Sequence, residues 1–396
     1  MNLRVLHVIP SVSPSQGGPS FALPLFAKAA AEKGATVAIA TTDDDGPGAH
    51  LDVPLNQFVP GPGGATCIYF RKNTEAYKVS LGLSRWLLPH VADYDVVHIH
   101  ALFSFSSYAA ARAARRASVP YVVRPLGVLN RWGLENRRRM LKQWSLRAVE
   151  MPILRNAAAI HYTAEAERQE AAGAHPDIAA VRSVVIPIPI EFATLSTLAE
   201  AHKRFPITAG RRVILFLSRL HVKKGVEILL KAFAQIRTKF PDALLVVAGN
   251  GEPSYVETLR DAAKKLGCDK DVFWPGFAAG EDKAALLAAA TFFVLPSFSE
   301  NFGIAAAEAL AAGVPCILSD QIAIARDAER EKAAILVPCK EEAIAAAMTQ
   351  LLESESMRDQ LRQGGRDFIA RHFSIEAVGA SLLELYASVV KERPSG

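Results

Sequence analysis

The chain has 396 residues, of which 50% are hydrophobic and 21% are charged, with a formal net charge of +5. This length is too great for one ordinary hydrophobic core, so we expect two domains of about 150 to 200 residues each. The small net charge does not indicate nucleic-acid binding, and the four scattered cysteines, without a CxxC pair, argue against a disulfide framework or a cysteine-based zinc site.

The location of the protein is predicted from its N-terminus and its apolar runs. The sequence enters a strand soon after Met1, so no signal peptide is predicted. No uninterrupted apolar run reaches the length needed to cross a bilayer. We therefore expect a cytoplasmic protein, either soluble or peripheral on the inner face of the membrane.

The first half of the chain alternates strands with helices. A loop rich in Ser, Pro and Gly follows the first strand, and residues 42–66 are predicted to form a surface loop. Because strand, loop, helix and strand follow one another, we expect a parallel sheet with right-handed crossovers. Strands are predicted at residues 4–9, 36–41, 67–71, 96–100, 121–124, 157–163 and 184–188, and helices at 20–33 and, with a basic face, 131–154.

The second half repeats this order. Residues 193–210 lack a strand pattern and are predicted to be a linker, after which strands at 213–217 and 243–248 flank a helix at 226–240. The fold class is therefore α/β, with two facing doubly wound, Rossmann-like domains. The predicted boundaries are 1–205 and 206–374, with an amphipathic C-terminal helix at 375–396 that packs back on the first domain.

Residues 291–320 form the most informative stretch. They read as a buried strand, a turn, an alanine-rich helix closed by Gly313, and a further strand. The start of this helix offers unpaired N–H groups, which favour a phosphate. Glu300 and Glu308 would lie roughly 12 Å apart if the segment were helical throughout, which is about the span from sugar to ribose in a nucleotide sugar. An ordinary crossover helix with one solvated glutamate is the alternative.

Two further loops carry groups suited to the same ligand. Arg219, Lys223 and Lys224 precede Gly225 in the loop after the strand at 213–217, and such cations suit a diphosphate. A solvated basic turn is the alternative. Gly249 and Asn250 follow the next strand in a loop with room for a ligand. The aromatic segment 273–277 could line a base pocket, although such residues are more often core.

Taken in order, these loops resemble glycosyltransferase family 4, the retaining nucleotide-sugar-dependent enzymes of GT-B fold. The first domain is consistent with this resemblance through Gly17-Gly18, the strand 96–100 that ends at His100, and the segments 124–127 and 160–165. In the second domain the matching motifs are Ser218-Arg219-Leu220 with Lys224-Gly225, residues 247–251, Pro275-Gly276-Phe277, Leu295-Pro296-Ser297, Glu300-x-Phe-Gly with Glu308-Ala309-Leu310, and Gly313-Val314-Pro315.

The resemblance implies a role for each matching residue. Arg219 and Lys224 would hold the diphosphate and stabilise its charge as it leaves. Glu308 would bind the ribose hydroxyls and Glu300 the hydroxyls of the transferred sugar. His100 would lie near that sugar, although a buried strand-end histidine is the alternative. The other residues implied to contact the donor are Gly17, Gly18, Gly249, Asn250, Phe277, Phe302, Gly303 and Ile304.

The sequence also departs from the family pattern in three loops. Ser218 stands where glycine is common. Residues 186–190 replace the commoner Pro-Asn-Gly turn, and residues 321–327 stand where a Gly-Gly pair and a glutamate are frequent. The last two changes affect loops that contact donor or acceptor in the family.

The resemblance predicts a hexosyltransferase that uses a nucleotide diphosphate sugar, UDP- or GDP-linked, and a lipid-linked or polysaccharide acceptor in cell-surface glycan synthesis. No metal or cofactor is expected, and Asp43 to Asp45, Asp93 and Asp95 are interpreted as solvated. The basic stretch 131–147 predicts either contact with an anionic membrane or a solvated face. One alternative is a non-catalytic sugar-nucleotide-binding subunit. A nicotinamide-dependent oxidoreductase is a less favoured alternative, because no GxGxxG motif follows a predicted strand.

Overall fold

A computed structural model describes residues 2–16, 18–129, 144–191, 196–300 and 302–392. The chain divides into two compact units, unit 1 (Met1–Pro189 and Ile375–Gly396) and unit 2 (Ile190–Ser374). The sequence placed the boundary after residue 205 and a linker at 193–210. The structure instead has a helix at Leu198–Arg204, started by a capping box between Thr197 and Glu200. Its Ala201 packs in unit 2 against Ala285 and Ala289.

Unit 1 is built on an eight-stranded sheet in the order β3-β4-β2-β1-β5-β6-β7-β8. All neighbours are parallel except the pair β3 and β4. The central strands are almost entirely buried, as expected for a sheet covered on both faces. The strands are β1 (Arg4–Ser11), β2 (Thr36–Thr42), β3 (Phe58–Pro60), β4 (Thr66–Phe70), β5 (Val96–His100), β6 (Tyr121–Arg124), β7 (Ala159–Tyr162) and β8 (Ser183–Val185).

The helices of unit 1 cover this sheet, and the last of them, α15 (Ile375–Lys391), packs on the first, α1 (Gly18–Glu32). Gly379 allows their close approach, since a Cβ there would lie 2.3 Å from the carbonyl oxygen of Ala29. Tyr386 of α15 is fully buried and reaches His98 on β5. The helices are α1 (Gly18–Glu32), α2 (Leu81–His90), α3 (Phe105–Arg116), α4 (Met151–Arg155), α5 (Glu165–Ala174), α6 (Pro176–Ala179) and α15 (Ile375–Lys391).

Unit 2 is built on a six-stranded parallel sheet in the order β11-β10-β9-β12-β13-β14. Its strands are β9 (Arg212–Leu217), β10 (Ala243–Ala248), β11 (Val272–Gly276), β12 (Ala290–Leu295), β13 (Cys316–Ser319) and β14 (Ala334–Val337). Its helices are α7 (Leu198–Arg204), α8 (Val226–Ile236), α9 (Pro253–Lys265), α10 (Gly280–Ala289), α11 (Ile304–Ala311), α12 (Ala325–Arg330), α13 (Glu341–Glu353) and α14 (Glu355–His372).

Two sequence interpretations of polar segments need correction. The predicted surface loop at 42–66 contains the antiparallel strand β3. Asp43 and Asp44, interpreted as solvated, are buried and paired: Asp43 with Arg71 at 2.9 Å and Asp44 with Lys72 at 2.8 Å. These cations follow β4, which lies beside β2, so the sheet brings them to the carboxylates although they are distant in sequence.

Two predictions concern a membrane. Residues 131–143 of the basic stretch lie outside the described residues, and Trp144 is exposed. Among the described residues, one helical run, Glu355–Lys391, is long and apolar enough to pass a length and composition test for a membrane span. The sequence interpretation missed this run. It consists of two helices, α14 and α15, and the apolar face of α15 is buried in unit 1.

Candidate active site

The loops of unit 2 that carry the predicted site follow neighbouring strands. β9 lies between β10, the next strand in sequence, and β12, where the strand order reverses. In open parallel sheets such a switch point leaves a crevice at the carboxyl ends of the strands, and ligands bind there. The loops after β9, β10 and β12 therefore share the edge of the sheet at which a ligand is expected.

The loop after β9 places Lys224 at this switch point. A turn of 3₁₀ helix, Val222–Lys224, begins at His221, whose Nδ1 accepts from the backbone N–H of Lys223 at 3.2 Å. Gly225 ends it in the left-handed conformation, with φ of 68°. A Cβ at Gly225 would lie 2.2 Å from the carbonyl oxygen of Pro296, so glycine is needed for this loop to contact the loop after β12.

Lys224 Nζ forms an ion pair with Glu300, and both side chains are largely buried, at 14% and 18% exposed. The backbone of Glu300 is fixed by the loop after β13: its N–H donates to the oxygen of Gln321 at 3.1 Å, and its oxygen accepts from Ala323 at 3.1 Å. This segment is one of the three that depart from the family pattern. Here it holds the backbone of Glu300 in place.

Glu308 lies on α11 and pairs with Lys283 of α10, with Nζ and Oε1 2.6 Å apart. Because α11 begins only at Ile304, Glu300 lies in the loop before it, and the continuous helix on which the 12 Å spacing depended is not present. Gly303 caps the helix with a φ of 96°, and a Cβ there would lie 2.7 Å from Ile322. The ring of Phe302 is buried against Phe373, so this side chain supports the loop.

A cavity of 710 Å³ brings together four of the predicted donor contacts, Arg219, Gly249, Asn250 and Phe277. Its walls come from the loops after β9, β10 and β11. Gly249 permits the contact between the first two loops, since a Cβ there would lie 1.9 Å from the oxygen of Ser218. Lys224, Glu300 and Glu308 are not among the residues that line this cavity. These predicted residues of unit 2 therefore form two sets, one that lines the cavity and one that forms ion pairs.

Sequence reasoning missed several residues of this region. His221 and Tyr255 line the cavity, and Tyr255 donates to Glu227 at 2.7 Å. Burial raises the pKa of Tyr255 well above its usual value. Lys283, the partner of Glu308, was also missed. The helical periodicity of the sequence does not indicate this pairing, because Lys283 and Glu308 lie on different helices that only the fold brings together.

In unit 1, Gly17 lies outside the described residues and Gly18 is the first residue of α1. His100 is the last residue of β5 and is fully buried, as in the alternative that the sequence left open. It belongs to a polar cluster at the unit 1 switch point, where β1 lies between β2 and β5. We call this the histidine cluster; its members are His7, His98, His100, His161, Arg124 and Tyr386.

The hydrogen bonds of the histidine cluster fix the protons on its rings. Arg124 can only donate, so His100 Nδ1 accepts from its guanidinium at 3.3 Å, and the Nε2–H of a neutral His100 donates to His7 Nδ1 at 2.7 Å. His7 then carries its proton on Nε2, a buried atom that has no hydrogen-bond partner in the described part of the chain. The chain of bonds therefore ends at a buried N–H donor.

The second branch of the cluster is fixed in the same way. The carbonyl oxygen of Ile186 can only accept, so His161 donates Nε2–H to it at 2.7 Å. His161 Nδ1 accepts from His98 Nε2 at 3.2 Å, and His98 Nδ1 accepts from the hydroxyl of Tyr386 at 2.8 Å. The rings of His161 and His98 are thus both satisfied in their neutral forms.

Burial lowers the pKa of all four histidines, and the charge of Arg124 contributes in each case. The pKa values of His7 and His161 fall to about 3. Among the described residues, His7, His98 and His100 are the one group with metal-ligand atoms close together. His7 Nδ1 and His100 Nε2 bond each other, and the Arg124 guanidinium bonds the second nitrogen of His100, so the group does not fit a cation.

Both units thus have the doubly wound sheet of a nucleotide-binding α/β protein, and unit 2 presents paired cations and carboxylates at its switch point. The chain matches the Glycosyl transferase 4-like domain over residues 17–189 and Glycosyl transferases group 1 over residues 199–368. It belongs to the glycosyltransferases of this family, which confirms the resemblance seen in the sequence.

Known relatives agree at the level of the family. The chain is 30% identical to an uncharacterized glycosyltransferase of Methanocaldococcus jannaschii over 44% of each chain. It is 31% identical to the D-inositol 3-phosphate glycosyltransferase of Corynebacterium glutamicum over 48% of this chain and 47% of that one. It therefore matches less than half of the length of these curated relatives.

Solved structures show the fold across the whole chain. The sucrose-phosphate synthase of Thermosynechococcus elongatus has a TM-score of 0.74 at 20% identity, covering 99% of this chain and 100% of that one. Anabaena HepE in complex with UDP has a TM-score of 0.76 at 19% identity, covering 98% and 100%. The predicted GT-B fold with two doubly wound, Rossmann-like domains is confirmed.

Proposed function

We propose that the protein is a retaining glycosyltransferase that moves a hexose from a nucleotide diphosphate sugar to a lipid-linked or polysaccharide acceptor in cell-surface glycan synthesis. The observation that carries the proposal is the pair Lys224 and Glu300 at the unit 2 switch point, directly before the start of α11. A cation, a carboxylate and free helix N–H groups together match a diphosphate joined to a sugar.

Each charged residue has one role in this proposal. Lys224 and Arg219 hold the diphosphate and stabilise the negative charge that develops as it leaves. Glu300 accepts hydrogen bonds from the hydroxyls of the transferred sugar, and Glu308 accepts them from the ribose. Since Glu308 is held by Lys283 at 2.6 Å, its carboxylate is oriented in advance.

The reaction proposed breaks the bond between the anomeric carbon and the diphosphate oxygen and forms a bond from that carbon to the acceptor oxygen. The acceptor hydroxyl gives its proton to the departing phosphate, so the new bond forms on the face that the phosphate leaves. No metal or cofactor takes part in this scheme. Lys224 and Arg219 supply the positive charge that the leaving group requires.

The test is release of free nucleotide when the full-length protein is incubated with UDP- and GDP-sugars, with and without acceptors. We expect release with one nucleotide class, loss of release in Lys224→Ala and Glu308→Ala, and native circular dichroism in both variants. Full activity in both variants would refute the assignment of the site. A protein that binds a donor without turnover would be the non-catalytic subunit, and tight NADH binding would favour the oxidoreductase.

The names of similar proteins suggest which substrates to try first. The Anabaena HepE structures contain UDP or UDP-glucose, and the names of two curated relatives include inositol 3-phosphate and monoglucosyldiacylglycerol. We propose UDP-glucose as the first donor to test. The proposed location is the cytoplasm, with peripheral contact to anionic membrane; equal recovery from the supernatant with neutral and anionic liposomes would argue against that contact.

A further inference from the structure

α14 packs along α11, the helix whose start is assigned to the donor. Gly365 of α14 brings the two helices close together, since a Cβ there would lie 3.1 Å from Cδ2 of the buried Leu310. The buried residues of α14 recur at helical spacing and form one face: Leu361, Gly365, Phe368 and Ile369. α14 therefore supports α11 from its C-terminal half.

The end of α14 makes an aromatic contact with the loop before α11. Phe373 directly follows α14, and its N–H donates to the oxygen of Ile369 at 2.8 Å. Its ring meets that of Phe302 edge to face, with centroids 5.7 Å apart, and lies 5.1 Å from Phe368. Phe302 and Phe373 are buried, at 5% and 6% exposed. Aromatic pairs of this geometry stabilise beyond the area they bury, so Phe373 anchors the side chain of Phe302.

Two anchors thus hold the turn that precedes α11. Glu300 bonds to the loop after β13 through its N–H and its oxygen, and the ring of Phe302 is held by Phe373. Gly303 follows with a φ of 96°, and among the described residues no side chain caps α11. The first N–H groups of the helix are therefore available to a ligand, and their position depends on the two anchors.

Phe373 also lies where the chain passes from one unit to the other. Ile190 is the first residue of unit 2, and Ser374 is the last before α15. The N–H of Ile190 donates to the oxygen of Phe373 at 2.7 Å, so both ends of unit 2 meet at this residue. The segment that joins the units is thus the segment that holds Phe302.

We propose that Phe373 is a positioning residue for the transfer reaction: through the ring of Phe302 it fixes the start of α11, and with it the N–H groups that receive the sugar and the diphosphate. The part that concerns transfer rests on the proposed function, and the anchoring of the loop does not. Phe373 acts only through the geometry of contacts made as the diphosphate leaves. A displacement of about 1 Å in such contacts can cost about a hundredfold in rate, so the loss of one ring should be measurable.

Hydrogen exchange of the full-length protein tests the anchoring without any activity assay. The first bonded amide of α11 is that of Ala307, which donates to the oxygen of Gly303 at 3.0 Å. We expect this amide to exchange about tenfold faster in Phe373→Leu, because the turn loses a buried anchor and opens more often.

Phe240→Leu is the matched control for exchange and for kinetics. Phe240 is also buried in unit 2, at 7% exposed, but its ring lies 5.0 Å from Cζ of Arg212, the first residue of β9, at the opposite edge of the sheet. Exchange at Ala307 that is unchanged in Phe373→Leu, or raised equally in both variants, would overturn the proposal.

Kinetics tests the role in transfer. Phe373→Leu should lower kcat for nucleotide release about tenfold and change the donor KM less than about twofold, because the nucleotide contacts in the cavity remain. Expressing kcat per donor-binding site, counted by calorimetry, removes any loss of folded protein from the comparison. A kcat for Phe373→Leu equal to that of Phe240→Leu would contradict the positioning role.

A double variant shows whether Phe373 acts through Phe302. Phe302→Leu removes the same contact from the other side, so the variant with both substitutions should be no slower than either single one. Effects that multiply, to about a hundredfold, would show that the two rings act separately and would refute the inference.

Should Phe373→Leu not fold, Phe373→Met takes its place, since a flexible apolar side chain fills part of the same gap. The same directions are expected, and exchange equal to that of the unsubstituted protein would count against the anchor. If the unsubstituted protein releases no nucleotide from any donor, the proposed transferase is refuted, while the exchange of Ala307 still reports on the anchoring of the loop.

Discussion

The two switch points of this protein hold their charges in opposite ways. In unit 1, the residues beside β1 and β5 form the buried histidine cluster, in which the rings are neutral and one guanidinium has no carboxylate ion-paired with it among the described residues. In unit 2, the loops after β9 and β12 hold Lys224 against Glu300, and Lys283 holds Glu308, with all four side chains partly exposed.

This difference shows that one topology supports two electrostatic designs. Paired charges near solvent can exchange partners when a charged ligand arrives, since water screens the cost of separation. A buried neutral network cannot, because each ring is committed to one proton position by the Arg124 donor and the Ile186 acceptor. The histidine cluster should therefore govern the pH dependence of stability, and the ion pairs should govern turnover.

The largest expected effect is on stability in mild acid. All four cluster histidines have pKa values below the unfolded value of 6.5, so the unfolded state binds more protons than the folded state once the pH falls through 6.5. Stability therefore decreases as the pH falls from 6.5 to about 3, where His7 and His161 become protonated in the folded protein. At about pH 5.5 each of the four lowers the free energy of unfolding by about 1.4 kcal/mol, and together they lower it by about 5.5 kcal/mol. Urea unfolding at about pH 7.5 and about pH 5.5 measures this.

A matched pair of variants locates the effect. His161→Leu should reduce the pH dependence, and His90→Asn, which changes a half-exposed histidine outside the cluster, should leave it unchanged. Equal free energies of unfolding at both pH values would show that the cluster is not neutral in the fold.

Removal of the Lys224 charge should have the next largest effect. Lys224→Ala should lower kcat/KM for the donor about 10²- to 10³-fold, because the charge on the departing diphosphate loses a preorganised partner. Lys239→Ala serves as the control, since Lys239 also pairs with a glutamate, Glu353, but does so before β10, at the opposite edge of the sheet. A loss of activity equal in both variants would point to a general effect of charge.

Glu308→Gln should have a smaller and different effect. Loss of one charged acceptor for the ribose should raise the donor KM about tenfold to a hundredfold with little change in kcat, because that contact is made equally in ground and transition states. The control is Glu341→Gln, which alters a carboxylate paired with Lys231. A fall in kcat at unchanged KM would contradict the assigned role.

The smallest expected effect is that of Tyr386→Phe. Without the hydroxyl, His98 Nδ1 is left as a buried acceptor without a donor, which should cost about 1 kcal/mol of unfolding free energy. Thermal or urea unfolding measures it, with Tyr108→Phe as the exposed control. Donor affinity should stay unchanged, and a change in it would show that the histidine cluster contributes to donor binding.

Much of the fold could be predicted because the strands carry their own signal. The strands at Val96–His100, Tyr121–Arg124 and Ala243–Ala248 begin and end at the predicted residues, since buried parallel strands are short unbroken apolar runs. The boundary between the units was harder to predict. The capping box at Thr197 is visible in the sequence, but the contact of Ala201 with Ala285 is not.

The candidate site was predicted residue by residue where loops follow strands. Lys224, Glu300 and Glu308 can be recognised from their positions in the sequence, whereas the ion pairs that they form depend on the fold. Lys283 lies on another helix from Glu308, and nothing in the sequence near Arg124 reveals that the guanidinium would lack a carboxylate. Partner identity depends on tertiary distance, which periodicity does not encode.

The contact between His98 and Tyr386 joins residues 288 positions apart in the chain. Because α15 supplies Tyr386 and covers α1, the core of unit 1 is completed only by the last helix, after all of unit 2. During synthesis on the ribosome, unit 2 can close before unit 1 does, so the first half of the protein must wait with its sheet partly uncovered. A chain that stops before α15 would be a substrate for chaperones and proteases.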